Sequence, residues 1–200
     1  MNYHNITYPD MNNGEGLRVV LWLSGCSHKC KGCQNPQTWD ADSGILFDES
    51  AKEELFKELD KDYISGLTLT GGDPLFESNL DDVLKLVTEV NKRYNTQKDI
   101  NKIRLSLPQK SIWLYTGYEW SDIMDYKMPF NNVIAAHNND ILYDYHMWKR
   151  QHIISQCDVL VDGRYIESYR DTSLKWRGSS NQKVISVIES LINKNIVLLN

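Results

Sequence analysis

Hydrophobic positions in the first half of the chain alternate between continuous runs and helical spacing. Residues 17–23 form a near-continuous apolar run with β-branched valines, which predicts a strand buried on both faces, as in parallel sheets. After Asp48, a residue type that caps helices, apolar residues recur at helical spacing over 51–59. A second strand at 66–70 and a second amphipathic helix over 80–90 follow. This alternation of strands and helices predicts an α/β protein.

The pattern is less regular in the rest of the chain. Apolar runs at 112–116 and 158–161 predict two more strands, whereas the polar, turn-rich residues 1–16 predict a short lead-in. The polar residues 95–110 predict an inserted loop or hairpin. Weaker patterns predict the remaining elements: a short strand at 132–136, a mostly helical segment at 137–156 and an apolar tail at 184–199.

We therefore expect a single domain over residues 1–200, with a mostly parallel sheet and helices on the outside. Unusual loops follow the carboxyl ends of four predicted strands, at 26–33, 71–74, 116–118 and 162–164. Ligands bind at that edge in barrels and in open parallel sheets alike. The four loops are therefore predicted to converge on one site.

Composition and charge narrow the classes of partner and compartment. The chain of 200 residues is 41% hydrophobic, and its net charge of −5 with a pI near 5.5 argues against a nucleic-acid partner. No apolar run approaches the ~20 residues of a membrane span, and residues 1–5 lack the character of a secretory signal. We therefore expect a cytoplasmic protein with no membrane partner, whose reduced thiols serve metal binding or catalysis.

Three of the four cysteines lie within eight residues, at Cys26, Cys30 and Cys33, in a C-x3-C-x2-C arrangement. Such a group indicates a soft-metal site. A structural zinc would need a fourth ligand, for which His28 is available, whereas a 4Fe–4S cluster on three thiolates would leave one iron open to a small molecule. Ordinary buried thiols are the third interpretation, and the one we adopt for Cys157.

The loop Gly71-Gly72-Asp73-Pro74 indicates close approach to a ligand. Two glycines allow the backbone to turn tightly, and the Asp73 carboxylate suits an ammonium group such as that of a methionine moiety. The alternative is a plain strand-to-helix turn capped by Asp73. Thr116 in the next loop indicates either a ribose or adenine contact or a structural turn.

Seven segments of the chain form a specific set: Asn13-Gly14-x-Gly16, Ser24-Gly25-Cys26-x-His28-x-Cys30-x-Gly32-Cys33-x-Asn35, Thr38-Trp39, Thr70-Gly71-Gly72-Asp73-Pro74-Leu75, Ile112-Trp113-x-x-Thr116-Gly117-Tyr118, Val161-Asp162-Gly163 and Trp176-Arg177-Gly178-Ser179-x-Asn181-Gln182. As a set they resemble the family of activating proteins of anaerobic ribonucleoside-triphosphate reductases, within the radical S-adenosylmethionine superfamily. The chain departs from that family at Gln34, where an aromatic residue is usual, and at Glu15, where a proline is usual.

The resemblance implies a reduced radical-SAM partial (β/α) barrel and one 4Fe–4S cluster per chain, held by Cys26, Cys30 and Cys33. It implies that S-adenosyl-L-methionine chelates the open iron through its amine and carboxylate. No catalytic side chain beyond the cluster is implied. Together with the loops above, it gives these cofactor-binding positions: Gly32, Cys33, Gln34, Gly71, Gly72, Asp73 and Thr116.

The activity that the resemblance implies is a radical reaction on a protein. One electron cleaves S-adenosylmethionine to methionine and a 5′-deoxyadenosyl radical, which takes a hydrogen from a glycine in the large subunit of the anaerobic reductase. A flavodoxin-like or other low-potential protein is implied as the electron donor. Two alternatives stay open: an activase of another glycyl radical enzyme, of the formate-lyase type, and a non-catalytic zinc or iron–sulfur binding module.

Overall fold

Seven strands form one sheet in the computed structural model, which describes residues 1–95, 109–127 and 138–199. The strands are β1 (Asn2–Asp10), β2 (Leu17–Leu23), β3 (Ile45–Leu46), β4 (Ile64–Gly71), β5 (Ser111–Tyr115), β6 (Val159–Asp162) and β7 (Lys183–Ser186). Their order across the sheet is β3-β1-β2-β4-β5-β6-β7. Because β3 and β7 form the two edges, the sheet built from the described residues is open.

The four central strands, β2, β4, β5 and β6, are parallel to one another. The strands β1 and β7 run antiparallel to them, and β3 runs antiparallel to β1, so five of the seven described strands point the same way. Across the centre, Leu21 is in register with Leu69, and Leu69 with Leu114. The predicted α/β fold with a mostly parallel sheet is therefore confirmed, whereas closure of the sheet into a barrel is not observed.

Five helices accompany the sheet in the described part of the chain: α1 (Glu49–Leu59), α2 (Leu80–Tyr94), α3 (Trp120–Met124), α4 (Asn138–Ser155) and α5 (Val187–Asn193). The predicted cap of α1 is confirmed, because the Asp48 carboxylate accepts a hydrogen bond from the Ala51 amide at 3.0 Å. At the start of α2, the Asn79 side chain donates instead to the carbonyls of Ser24 and Asp73. The α2 terminus is thereby fastened to the loops that follow β2 and β4.

The two faces of the sheet differ because alternate residues of a strand point to opposite sides. One face packs against the helices in a continuous apolar core. The other face carries Arg18, Thr68 and Trp113, together with a smaller apolar cluster around Val161 and Val184. The residues of the central strands in the helix-side core are Val19, Leu21, Leu23, Leu67, Leu69, Ile112, Leu114 and Leu160.

The prediction of a turn-rich lead-in is confirmed for residues 11–16, which form bends, but it is wrong for residues 2–10. Asn2–Asp10 is a strand, β1, which pairs with β2. Only Tyr3 and Ile6 are buried there, so the polar residues between them occupy exposed positions and hide the strand pattern. The strand β1 forms because β2 supplies its backbone hydrogen-bond partners, and the sequence of residues 2–10 alone does not indicate this pairing.

The other differences lie in short elements. The predicted helical segment at 137–156 is confirmed as α4 for its described residues, and the apolar tail contains β7 and α5. The elements β3 and α3 were not predicted. The predicted strand at 132–136 and most of the insertion at 95–110 lie outside the described residues. Among the described helices, none is both long and apolar enough to cross a membrane.

Candidate active site

A cavity of about 640 Å³ lies at the carboxyl ends of the parallel strands. All four loops that were predicted to converge contribute to its wall, so that prediction is confirmed. The segments 11–13 and 174–178 close the cavity on other sides. The loop residues that line it are Cys26, His28, Cys30, Cys33, Gly71, Gly72, Asp73, Thr116, Gly117 and Gly163.

The cysteine-bearing loop is closed at its base by its own backbone. The Gly25 amide donates to the Thr38 carbonyl at 2.8 Å, and the Cys26 amide donates to the Trp39 carbonyl at 3.0 Å. Between these bonds, Gly32 has a φ of +74°, a left-handed conformation that favours glycine. We call residues 26–39 the cysteine loop. Its closed base fixes where the three thiols emerge.

The three thiols are half-buried, and backbone amides point at their sulfurs. The Asn35 amide donates to Cys33 Sγ at 3.4 Å. Burial raises the pKa of Cys26 to about 11, and hydrogen bonds from the backbone of His28 and Lys29 oppose that shift. Burial also raises the pKa of Cys30, against a backbone hydrogen bond from Tyr165. Hydrogen bonds to the sulfurs are among the features that tune iron–sulfur clusters.

The cysteines open on one cavity without forming a single-ion site. Among the described residues, no three His, Cys, Asp or Glu side chains form a group that could hold one metal ion.

Asp73 holds the neighbouring loops together. Its carboxylate is buried and accepts hydrogen bonds from the Leu75 amide at 2.8 Å, the Gly117 amide at 3.0 Å and the Thr116 hydroxyl at 2.9 and 3.0 Å. The bond to Leu75 is a capping bond of the turn that follows β4. Asp73 and Thr116 therefore lie at the predicted site, with their side-chain oxygens directed at each other.

His28 inserts between the cysteine loop and the loop after β5. Its side chain is 5% exposed, and Nε2 lies 2.9 Å from Asp73 Oδ2, although the two are not aligned as a hydrogen bond requires. The ring meets Tyr118 edge-on, with centroids 4.6 Å apart. A Cβ at Gly117 would lie 2.3 Å from His28 Cδ2, so a glycine is needed there. His28 thereby joins the cysteine loop to Asp73.

The glycines of the loop after β4 allow two backbones to meet. A Cβ on Gly72 would lie 2.5 Å from the Gly25 carbonyl oxygen, and Gly71 has a φ of +102°. The Gly72 and Asp73 amides donate to the carbonyls of Leu23 and Gly25, both at 2.7 Å. The close approach within the protein accounts for both glycines, and their backbone also borders the cavity.

The remaining predicted positions lie on the cysteine loop. Gly32 packs against the Glu167 carboxylate, since a Cβ would come within 2.8 Å of it. Gln34 is exposed and lines the cavity. Cys157 lies in the helix-side core, where its thiol donates to the Ile153 carbonyl at 3.3 Å.

Several cavity residues were missed from the sequence. Trp22 and Tyr115 line the cavity from the strands, and Trp39 and Trp176 line it from loops. Trp176 has a φ of +60° and packs edge-on against Trp113, with ring centroids 5.0 Å apart. A signal was available, because Trp39 and Trp176 both belong to the segments that carry the family resemblance.

Buried polar atoms without partners mark the cavity wall as a ligand site. Among the described residues that line the cavity, both ring nitrogens of His28, Trp39 Nε1 and the Tyr115 hydroxyl have no hydrogen-bond partner. Buried groups of this kind are normally satisfied, so each one indicates a partner that the chain itself does not supply. A cavity of this volume suits a nucleoside-sized cofactor, and three thiols suit an iron–sulfur cluster. The residues present therefore fit both groups.

Comparisons with known proteins agree with this geometry. A family model described as "4Fe-4S single cluster domain" matches residues 12–185. A relative from Enterobacteria phage T4, named anaerobic ribonucleoside-triphosphate reductase-activating protein, is 39% identical over 93% of this chain and 94% of its own length. Relatives of the same name from Escherichia coli K12 and Vibrio cholerae are each 34% identical over 92% of this chain and 97% of their own length.

Proposed function

Because the chain belongs to the family of anaerobic ribonucleoside-triphosphate reductase-activating proteins, we propose that it is a radical S-adenosylmethionine enzyme that installs a glycyl radical on such a reductase. The observation that carries this proposal is the meeting of three thiols and four unpartnered polar atoms, on His28, Trp39 and Tyr115, around one cavity. The thiols supply the ligands of a cluster, and the unpartnered atoms supply contacts for a polar cofactor.

In this proposal, Cys26, Cys30 and Cys33 hold a 4Fe–4S cluster. The cluster, when bound, supplies the single electron that cleaves S-adenosylmethionine to methionine and a 5′-deoxyadenosyl radical. The chain positions the cysteines through the closed base of the cysteine loop and directs backbone amides at their sulfurs. Four loops contribute to the wall of the cavity in which the reacting groups would meet.

We assign S-adenosylmethionine to the part of the cavity between the cysteine loop and the loop after β4. Cys33 and Gln34 line it on one side, and Gly71 and Gly72 line it on the other. Gly32 is not part of this lining and packs against Glu167, so its proposed role is to shape the loop that carries Cys33. Asp73 and Thr116 act here mainly by holding that backbone, since their side-chain oxygens already bond to each other. The unpartnered donors of Trp39 and Tyr115 are available to polar atoms of the cofactor.

The finer features of the family follow in the same proposal. The open sheet corresponds to the partial barrel of radical S-adenosylmethionine enzymes. The protein substrate is the large subunit of the anaerobic reductase, whose glycine enters the cavity. The electron comes from a low-potential carrier protein of the flavodoxin type.

The test is radical transfer to the partner. The reconstituted protein is incubated without oxygen with the reductase large subunit, dithionite and S-adenosylmethionine, and the sample is examined by electron paramagnetic resonance. We expect a glycyl radical signal that depends on all components. A protein with a full cluster that gives no signal with this reductase, but gives one with a formate-lyase-type partner, would overturn the substrate assignment.

A further inference from the structure

The charges around the cavity differ in sign from those of the chain as a whole. The chain carries 22 lysines and arginines against 27 acidic residues. Residues 24–39 and 163–177, which both contribute to the cavity wall, carry six lysines and arginines against two acidic residues. A local excess of positive charge on an acidic protein creates a field that attracts a negatively charged partner.

Three of these six cations are exposed, lie next to Cys30 or Gly163 in the chain, and are not part of the cavity lining. Lys29 and Lys31 are the neighbours of Cys30 in the chain, and both are exposed. Arg164 is exposed as well, and its chain neighbours Gly163 and Tyr165 line the same cavity as Cys30. We call Lys29, Lys31 and Arg164 the basic patch.

The basic patch is available to a partner. Among the described residues, no carboxylate lies within ion-pair distance of its three side chains. The Glu167 carboxylate packs over Gly32 of the cysteine loop, but it forms no ion pair with the three cations. None of the three cations lines the cavity, whereas Lys175 and Arg177 do. The patch therefore lies on the outside of the cysteine loop and not at the wall that faces the cofactor.

We infer that the basic patch docks the electron donor, a small acidic protein with a low-potential one-electron carrier. The inference rests on the proposed function. The cavity has to admit S-adenosylmethionine and the glycine of the reductase, so the donor needs another approach to the cluster. The outer side of the cysteine loop gives that approach, because Lys29 and Lys31 are each one residue from Cys30. One electron passes from the reduced carrier to the cluster, so the carrier is oxidised by one electron and the cluster is reduced by one. No bond forms or breaks, and no proton is transferred.

The test compares a protein donor with a small reductant. A flavodoxin hydroquinone is the probe for the protein donor, and dithionite is the reductant that needs no docking surface. The variants are the double substitution Lys29→Glu/Lys31→Glu and a matched control, Lys57→Glu/Lys92→Glu, on exposed positions of α1 and α2. The rate of cluster bleaching by stopped flow and the dissociation constant of the flavodoxin complex are both measured.

We expect the patch variant to react with flavodoxin at least about ten-fold more slowly than the wild type at low salt, with a correspondingly weaker complex. The control stays within about two-fold, because charges far from the contact are screened. Added salt slows the wild-type reaction toward that of the patch variant. Excess dithionite reduces the cluster of all three proteins to the same final extent, which shows that each holds a reducible cluster.

Three results would overturn the inference. The first is an unchanged flavodoxin rate and affinity in the patch variant. The second is normal reaction with flavodoxin but weakened binding of the reductase subunit, which would assign the patch to that partner. The third is a wild-type protein whose metal centre dithionite cannot reduce, which would remove the proposed function together with the inference that rests on it.

Discussion

The helix side and the cavity side of the sheet are built from alternate residues of the same strands, yet they differ in the polarity of their side chains. On the helix side, Leu21, Leu69 and Leu114 are fully buried in one apolar core. On the cavity side, the same strands present Trp22, Thr70 and Tyr115 to a cavity. The first face stabilises the fold through burial, and the second keeps polar and aromatic groups available for a ligand.

On the cavity side of the sheet, the buried polar groups differ between the two ends of the strands. Near the amino ends of the strands, the buried guanidinium of Arg18 makes five hydrogen bonds, to Glu15, Leu67, Thr68 and Ser111. Burial lowers the pKa of Arg18 to about 10, which leaves it charged at neutral pH. Toward the carboxyl ends, Tyr115 and Trp39 keep buried donors without partners. The guanidinium of Arg18 is thus fully bonded within the fold, whereas the donors of Tyr115 and Trp39 are left open at the cavity.

The strongest test of this comparison uses two cysteines on opposite sides. Cys30→Ala removes a proposed cluster ligand, and we expect 5′-deoxyadenosine formation to fall to background while the free energy of unfolding of the metal-free protein changes little. Cys157→Ala shortens a side chain in the helix-side core, and we expect a loss of about 1 kcal/mol of stability with the cluster retained. Product analysis and chemical denaturation give the two readouts. Equal activity in the two variants would refute the assignment of the cluster.

Substitutions at the neighbouring residues 69 and 70 are expected to give the next largest difference, here in the free energy of unfolding. Leu69→Ala opens a cavity in the helix-side core and is expected to lower the free energy of unfolding by about 2–5 kcal/mol. Thr70→Ala, on the cavity side, is expected to cost less than about 1 kcal/mol, because its side chain borders open space. Urea denaturation of the metal-free variants measures both. Similar losses would mean that the cavity side contributes to stability as much as the helix side.

The bond between Thr116 and Asp73 tests whether the loops depend on each other. Thr116→Val keeps the shape but leaves the buried Asp73 carboxylate short of a donor, so we expect a loss of about 1–3 kcal/mol in unfolding free energy. Thr116→Ser is expected to restore most of it. Thr88→Val, on the exposed side of α2, is the matched control and is expected to change stability by about 0.5 kcal/mol or less. A Thr116→Val protein as stable as the wild type would contradict this role.

The smallest effect is expected from the tryptophans. Trp39→Phe removes an unpartnered donor, so stability is expected to stay constant while the affinity for S-adenosylmethionine weakens about five-fold, or about 1 kcal/mol. Trp22→Phe removes a donor that bonds to the Thr7 hydroxyl at 2.9 Å, and is expected to cost about 1 kcal/mol of stability. Calorimetric titration and denaturation separate the two. A stability loss in Trp39→Phe without a change in affinity would show that its donor serves the fold.

The sequence predicts the fold best where one periodicity dominates. The strand Leu17–Leu23 and the helix capped by Asp48 are both where the pattern places them. The strand β1 is missed because its contacts are with β2 and its own residues are mostly polar. The strand β3 has two exposed residues and owes its existence to pairing with β1, which no local pattern records.

For the site, the sequence predicts which loops meet but not how they are held. The rule that ligands bind at the carboxyl ends of parallel strands brings Cys26 and Gly72 to one cavity. It does not reveal that Gly72 allows contact with the Gly25 carbonyl, or that Asp73 bonds to Thr116. These are contacts between residues far apart in the chain. They depend on distances that only the folded backbone sets.

The closed base of the cysteine loop has a consequence for the lifetime of the protein. In zinc fingers, the metal organises the chain, and its loss unfolds the domain. Here two backbone bonds, from Gly25 to Thr38 and from Cys26 to Trp39, close the base of the loop, and neither of them uses a cysteine sulfur. We therefore expect damage by oxygen to strip the cluster and leave a folded shell. The folded apoprotein can bind a new cluster when anaerobic conditions return. Oxidation is then reversible, and no new polypeptide has to be synthesised.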